Sequence, residues 1–195
     1  MKRVGLLGGS FNPVHIGHTM LASYMAQFTD LDEVWLVVSP LNPIKLHPEH
    51  LIDDSLRLRM LELAIGNDPR LKACDVELSM PRPSFSIDTL TLLSQRHPDC
   101  RFKWIMGSDN WHVISQWKAA DTIISDYGVI IYPRPGYDVD ASDLPDGVEL
   151  VNAPTIDISS SFIRKSILSH HDMNFFLPCG VYEFITNNRL YQTTV

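Results

Sequence analysis

Apolar positions along the chain fall into two interleaved patterns. Short, nearly continuous runs at Val4–Leu7, Glu33–Ser39 (EVWLVVS), Phe102–Met106, Tyr127–Tyr132 (YGVIIY) and Val148–Val151 have the length and β-rich content of buried strands. Leu71–Leu78 alternates apolar and polar residues and predicts a further strand. Between these runs the spacing turns helical. Ile16 to about Phe28 is amphipathic, and Asp53–Ile65 places Leu56, Met60, Leu63 and Ala64 on one face behind an N-cap at Asp53 or Asp54. Ser86–Arg96, Trp111–Ala120, Ser160–Leu168 (capped near Ser159 or Ser160) and Gly180–Asn188 read as helices too. Strands alternating with helices predict an α/β, Rossmann-like fold, a mainly parallel sheet with helices on both faces. The Pro/Gly/Asp-rich stretch Pro133–Gly147 reads as a surface loop, so 1–195 is expected to be one domain whose C-terminal part, from about residue 158, is helical.

Composition narrows the function more than the fold. The apolar fraction of 45% supports a sizeable core. A net charge of −7 disfavours general nucleic-acid binding, although a few placed cations and backbone amides can still hold a small polyanion. Cys74, Cys100 and Cys179 form neither a disulfide framework nor a CxxC metal site, which suits a reducing cytoplasm. The apolar stretch after Met1-Lys2-Arg3 is too short for a signal peptide, and no run approaches the ~20 residues of a membrane span.

The densest chemistry follows the first strand, in Gly8-Gly9-Ser10-Phe11-Asn12-Pro13-Val14-His15-Ile16-Gly17-His18. Paired glycines permit a sharp turn and close approach of backbone to ligand. The spacing is not that of the GxGxxG dinucleotide fingerprint. In its place stand two histidines, at i and i+3, on one face of a helix N-terminus, where free amides and the helix dipole favour phosphate. Zinc is disfavoured because no third ligand stands at suitable spacing. Gly17 is read as keeping this face open to a bulky anion.

The whole string resembles the (GT/GS)FxPxHxGH signature of the nucleotidyltransferase superfamily and contains HIGH literally. Ile158-Ser159-Ser160-Ser161-Phe162-Ile163-Arg164 resembles the ISSTxIR element of the same superfamily. There a helix N-terminus, hydroxyls and a forked guanidinium suit phosphate oxygens. Three middle elements are similar to those of the bacterial nicotinate-nucleotide adenylyltransferases. They are Asn42-Pro43-Ile44-Lys45, Ser84-Phe85-Ser86-Ile87-Asp88-Thr89-Leu90, and Gly107-Ser108-Asp109 followed by Trp117. Ser10, Asn12, Ser86 and Ser161 depart from the commoner Thr, Asp, Thr and Thr, and Ile44 fills a position that is often polar.

The resemblance implies AMP transfer from ATP to nicotinate mononucleotide, with Mg²⁺ held mainly by the ATP phosphates and no dedicated protein metal site. It implies catalytic roles for His15, His18, Lys45 and Arg164. ATP contacts fall to Gly8, Gly9, Ser10, Phe11, Gly107, Asp109, Ile158, Ser159 and Ser160. Contacts with the pyridine nucleotide fall to Ser86, Thr89, Trp117 and, from a loop after a strand, Arg134. An indole plane suits a pyridinium, by stacking and cation–π attraction. Phosphopantetheine and nicotinamide mononucleotide remain alternative acceptors. A class I aminoacyl-tRNA synthetase also carries HIGH, but this acidic chain is too short to add tRNA-reading domains. A catalytically silent nucleotide sensor is the alternative from another class.

Overall fold

The computed structural model describes residues 1–40 and 51–192. Six strands, β1 (Lys2–Gly9), β2 (Glu33–Val38), β3 (Leu71–Cys74), β4 (Cys100–Gly107), β5 (Val129–Tyr132) and β6 (Val148–Leu150), form one sheet in the order β3-β2-β1-β4-β5-β6. Every neighbouring pair is parallel. The helices are α1 (Ile16–Phe28), α2 (Asp54–Ile65), α3 (Ser86–Arg96), the short α4 (Ser108–Trp111) and α5 (Ala120–Thr122), α6 (Ser160–Leu168) and α7 (Val181–Asn187).

The apolar runs of the strands serve two cores at once. Successive side chains point to opposite faces. Leu7, Val34, Leu36, Val38, Ile105 and Ile130 therefore join one cluster with residues of α1, α2, α6 and α7. Val4, Leu6, Trp35, Val37, Phe102, Trp104, Val129 and Ile131 join a second, with Leu90 and Leu93 of α3. Strand order reverses between β1 and β4, and the crevice beyond their carboxyl ends is where doubly wound sheets bind ligands.

Two expected elements come out differently. The strand expected over Leu71–Leu78 stops at Cys74, because its partner β2 pairs no further than Val37 with Cys74. The chain then winds into a 3₁₀ turn, Val76–Ser79, which buries both Val76 and Glu77. The helix expected over Trp111–Ala120 is broken into α4, a 3₁₀ turn at Ile114–Gln116 and an extended residue, Trp117. Apolar residues three apart fit a 3₁₀ turn as well as an α-helix. Ala119, in the left-handed conformation at φ 53°, prevents a continuous helix. Among the caps, Asp53 accepts from the amide of Ser55 (2.8 Å) and Ser159 from that of Phe162 (3.1 Å).

Candidate active site

The loop after β1 carries the first motif onto the N-terminus of α1. His15 occupies the N-cap, and its backbone N–H donates to Nδ1 of His18 at 3.2 Å. That bond fixes the tautomer of His18: Nδ1 accepts, so the proton sits on Nε2 and is available to a ligand. The two rings lie 3.7 Å apart, centroid to centroid, and Phe11 meets His18 edge-on at 5.0 Å. Burial lowers the pKa of His15 to about 4, with the nearby Arg134 guanidinium adding to the shift. Burial likewise holds His18 well below the usual imidazole value, with His15 and then Arg134 adding to the shift. Both rings are therefore neutral at pH 7, when they can donate without carrying charge.

Glycine works here by making room for the motif's own rings. A Cβ on Gly9 would meet the Phe11 ring at 3.0 Å, and one on Gly17 would meet the His15 ring at 3.1 Å. The opening expected at Gly17 is thus filled by His15, which it holds in place. Phe11, buried with φ at +45°, is a non-glycine residue in the left-handed region, a conformation that costs ~1–3 kcal/mol and is concentrated at functional sites.

The second motif docks directly on the first. Ser160 Oγ donates to the carbonyl of Pro13 (2.9 Å), and Arg164 Nη1 to that of Asn12 (2.7 Å). Half-burial lowers the pKa of Arg164, yet a guanidinium remains charged. Ile163 and Ile167 anchor α6 in the core, so the free amides at its N-terminus are held beside the loop after β1. Ile158 packs against the same core.

On the other side of the switch point, Gly107 ends β4. A Cβ there would lie 2.3 Å from Asp109 Oδ1 and 2.9 Å from the Arg134 side chain, so only glycine leaves space for this pair. Asp109 and Arg134 stand 3.9 Å apart, and the amide of Arg134 donates to Ser108 Oγ at 2.8 Å.

A cavity of about 310 Å³ opens beside these groups, lined among others by Gly8, Gly9, Ser86, Trp104, Trp117 and Lys118. Trp117 packs edge-on against Trp104 (6.3 Å), and its indole N–H is buried with no hydrogen-bond partner among the described residues. Lys118 pairs with Asp88 at 2.9 Å across from Phe85. Thr89, expected on the acceptor side, is fully buried, and its hydroxyl donates to Glu77 Oε1 (2.8 Å). Arg134 does not line the cavity; its charge is felt at the two histidines instead. Lys45 lies outside the described residues.

Sequence reasoning passed over Glu77, Arg57, Lys118 and Tyr191. Tyr191, just beyond α7, donates from its hydroxyl to Asn12 Oδ1 (2.8 Å), and burial raises its pKa. No local pattern announced it.

A cytidylyltransferase-like family model matches residues 6–166. The probable nicotinate-nucleotide adenylyltransferases of Bacteroides thetaiotaomicron and Bacteroides fragilis are 46% and 44% identical to the chain, over 94% of it and 90% of each relative. The fold matches Plasmodium falciparum nicotinic acid mononucleotide adenylyltransferase complexed with NaAD, at a TM-score of 0.79 and 24% identity over 98% of each chain. It also matches a putative nicotinate-nucleotide adenylyltransferase from Vibrio parahaemolyticus, at a TM-score of 0.74 and 18% identity, covering 100% of this chain and 98% of that one.

Proposed function

Because the chain belongs to the cytidylyltransferase-like family and groups within it with the nicotinate-nucleotide adenylyltransferases, we propose that it transfers AMP from ATP to nicotinate mononucleotide, releasing pyrophosphate and deamido-NAD. This is a step of NAD biosynthesis. The observation that carries the reading is the junction of two half-sites at the β1/β4 switch point. A neutral histidine pair braced by α6 stands beside a cavity lined by Ser86 and Trp117.

The phosphate of the acceptor, with a second pKa near ~6, is already largely dianionic at neutral pH and needs no general base. Its oxygen attacks the α-phosphorus of ATP in line, the bond to the bridging oxygen breaks, and pyrophosphate leaves. His18 donates from Nε2, and His15 alongside it, to the α-phosphate oxygens as charge spreads over them. Arg164, Lys45 and the amides of the α6 N-terminus steady the β- and γ-phosphates. Gly8, Gly9, Ser10, Phe11, Gly107, Asp109, Ile158, Ser159 and Ser160 shape the ATP side. Ser86 and Trp117 hold the pyridine nucleotide, Thr89 supports them through Glu77, and Arg134 faces the phosphates between the two halves. ATP enters as its Mg²⁺ complex, the ion being held by phosphate oxygens and water. The chain works as a single domain over 1–195, in the cytoplasm; among the described residues no helix is long and apolar enough to cross a membrane.

The test is pyrophosphate release with ATP and Mg²⁺, offering nicotinate mononucleotide, nicotinamide mononucleotide and phosphopantetheine in parallel. Strong preference for the nicotinate form is expected. Preference for another acceptor overturns the acceptor assignment, and silence with all three favours a nucleotide sensor.

A further inference from the structure

Two buried charges of opposite sign stand at the site without touching each other: Arg57 lies behind the cavity wall, whereas Glu77, with Ser39 and Ser84, belongs to that wall, its oxygens engaged by their hydroxyls. Arg57 of α2 is fully buried, with every nitrogen engaged: Nε donates to Ile52 O, Nη1 to the carbonyls of Ser10 and Ser39, and Nη2 to Asp54. Glu77, 3% exposed, accepts from three hydroxyls, Ser39 (2.9 Å), Ser84 (2.7 Å) and Thr89 (2.8 Å). Among the described residues it forms no ion pair. Burying a charge is costly unless its hydrogen-bonding capacity is filled; Arg57 meets that condition with backbone carbonyls and the Asp54 carboxylate, and Glu77 with hydroxyls alone.

Ser39 is common to both. Its carbonyl receives Arg57 and its hydroxyl reaches Glu77, so one chain of hydrogen bonds runs from Ser10, in the loop bearing the histidines, through Arg57, Ser39 and Glu77 to Ser84 and Thr89. The first end lies on the ATP side. The second is the segment that opens α3 and lines the acceptor cavity. We propose that Arg57, Ser39 and Glu77 are positioning residues, forming a brace that fixes the distance between the ATP half-site and the acceptor half-site. In-line displacement depends on that distance, since attacking oxygen and phosphorus must meet within a few tenths of an ångström of contact geometry. The brace also explains why Thr89 turns away from the cavity: it holds the carboxylate that holds Ser84.

This inference rests on the adenylyl-transfer reading, so the unaltered protein is assayed first; if it is silent with nicotinate mononucleotide, that reading fails, independently of the brace. Ser39→Ala removes the linking hydroxyl and keeps the carbonyl that receives Arg57. Expected is a fall in kcat of about tenfold, with both KM values within about threefold of the unaltered protein, because each half-site still binds its own substrate. Glu77→Gln is expected to lower kcat as well, and the Ser39→Ala, Glu77→Gln double variant to lose clearly less than the product of the single losses. A merely structural role would lower the thermal midpoint and leave kcat per folded molecule alone. That outcome, a rise in KM without loss of kcat, or multiplicative losses in the double variant, overturns the brace. Should Glu77→Gln not fold, Thr89→Val, which deletes one donor at constant shape, replaces it in the same cycle.

Discussion

A histidine near a phosphate is commonly pictured as a cation, and here the environment argues for the neutral form. His15 is 6% exposed, and burial outweighs every other influence on it, lowering its pKa to about 4. A neutral imidazole can still donate, and the backbone bond from His15 to His18 Nδ1 directs the His18 proton toward the ligand side. Losing one preorganised donor of this kind typically costs ~10²–10³ in rate. His18→Ala is therefore expected to lower kcat by about that factor while circular dichroism and the thermal midpoint show a folded protein. A folded variant with near-normal turnover would remove His18 from the mechanism. The two histidines were legible in the sequence as a pair on one helix face; their protonation state was not, because it depends on burial and on Arg134, more than 100 residues downstream.

At the scale of elements, the sequence reading succeeded where pattern and pairing agree. All six strands were expected, five from short apolar runs, which have few alternatives to a covered parallel sheet, and the sixth from the alternation at Leu71–Leu78. It failed at Leu71–Leu78, where alternation outlasts the pairing partner, and at Trp111–Ala120, where helical spacing is interrupted for the sake of the cavity. Glu77 was missed for the first reason: it reads as a polar position of an alternating strand, whereas the 3₁₀ turn buries it. The second failure has a functional corollary. Trp117 is extended, with its ring at the cavity and its flank on Trp104, so its loss removes acceptor contact without disturbing a helix. Trp117→Ala is expected to raise the KM for nicotinate mononucleotide about tenfold and to leave that for ATP within about twofold. A variant in which only the ATP constant moves would place the indole on the wrong substrate.

Across the whole molecule, the site is assembled from the loops after β1, β4 and β5, the 3₁₀ turn after β3, α3 and α6, and fold stability is coupled to its chemistry. A histidine held neutral in the folded state binds fewer protons than it does unfolded. Stability therefore rises with pH across the window between the two pKa values, and falls as the pH drops from 6.5 toward about 4. For His15 alone the loss between neutral pH and pH 5 is about 2 kcal/mol, and His18, depressed for the same reasons, adds to it. Asp68 acts lower on the scale. Its bond to Arg70 holds the carboxyl down to about 2, so the stability it contributes is lost only as pH falls from the ordinary carboxylate range toward that value. Urea denaturation is thus expected to show a first loss of stability that begins near pH 6.5, above the range in which ordinary carboxylates titrate. His15→Gln, which cannot gain a proton in either state, is expected to flatten that first stage. Saturating ATP should flatten it too, because a bound polyanion beside the rings raises their folded-state pKa values toward the unfolded ones. A midpoint that stays constant from pH 7 to 5 in the unliganded protein would mean that the rings are hydrated and protonated freely. The neutral-donor account of the α-phosphate contacts would fall with it.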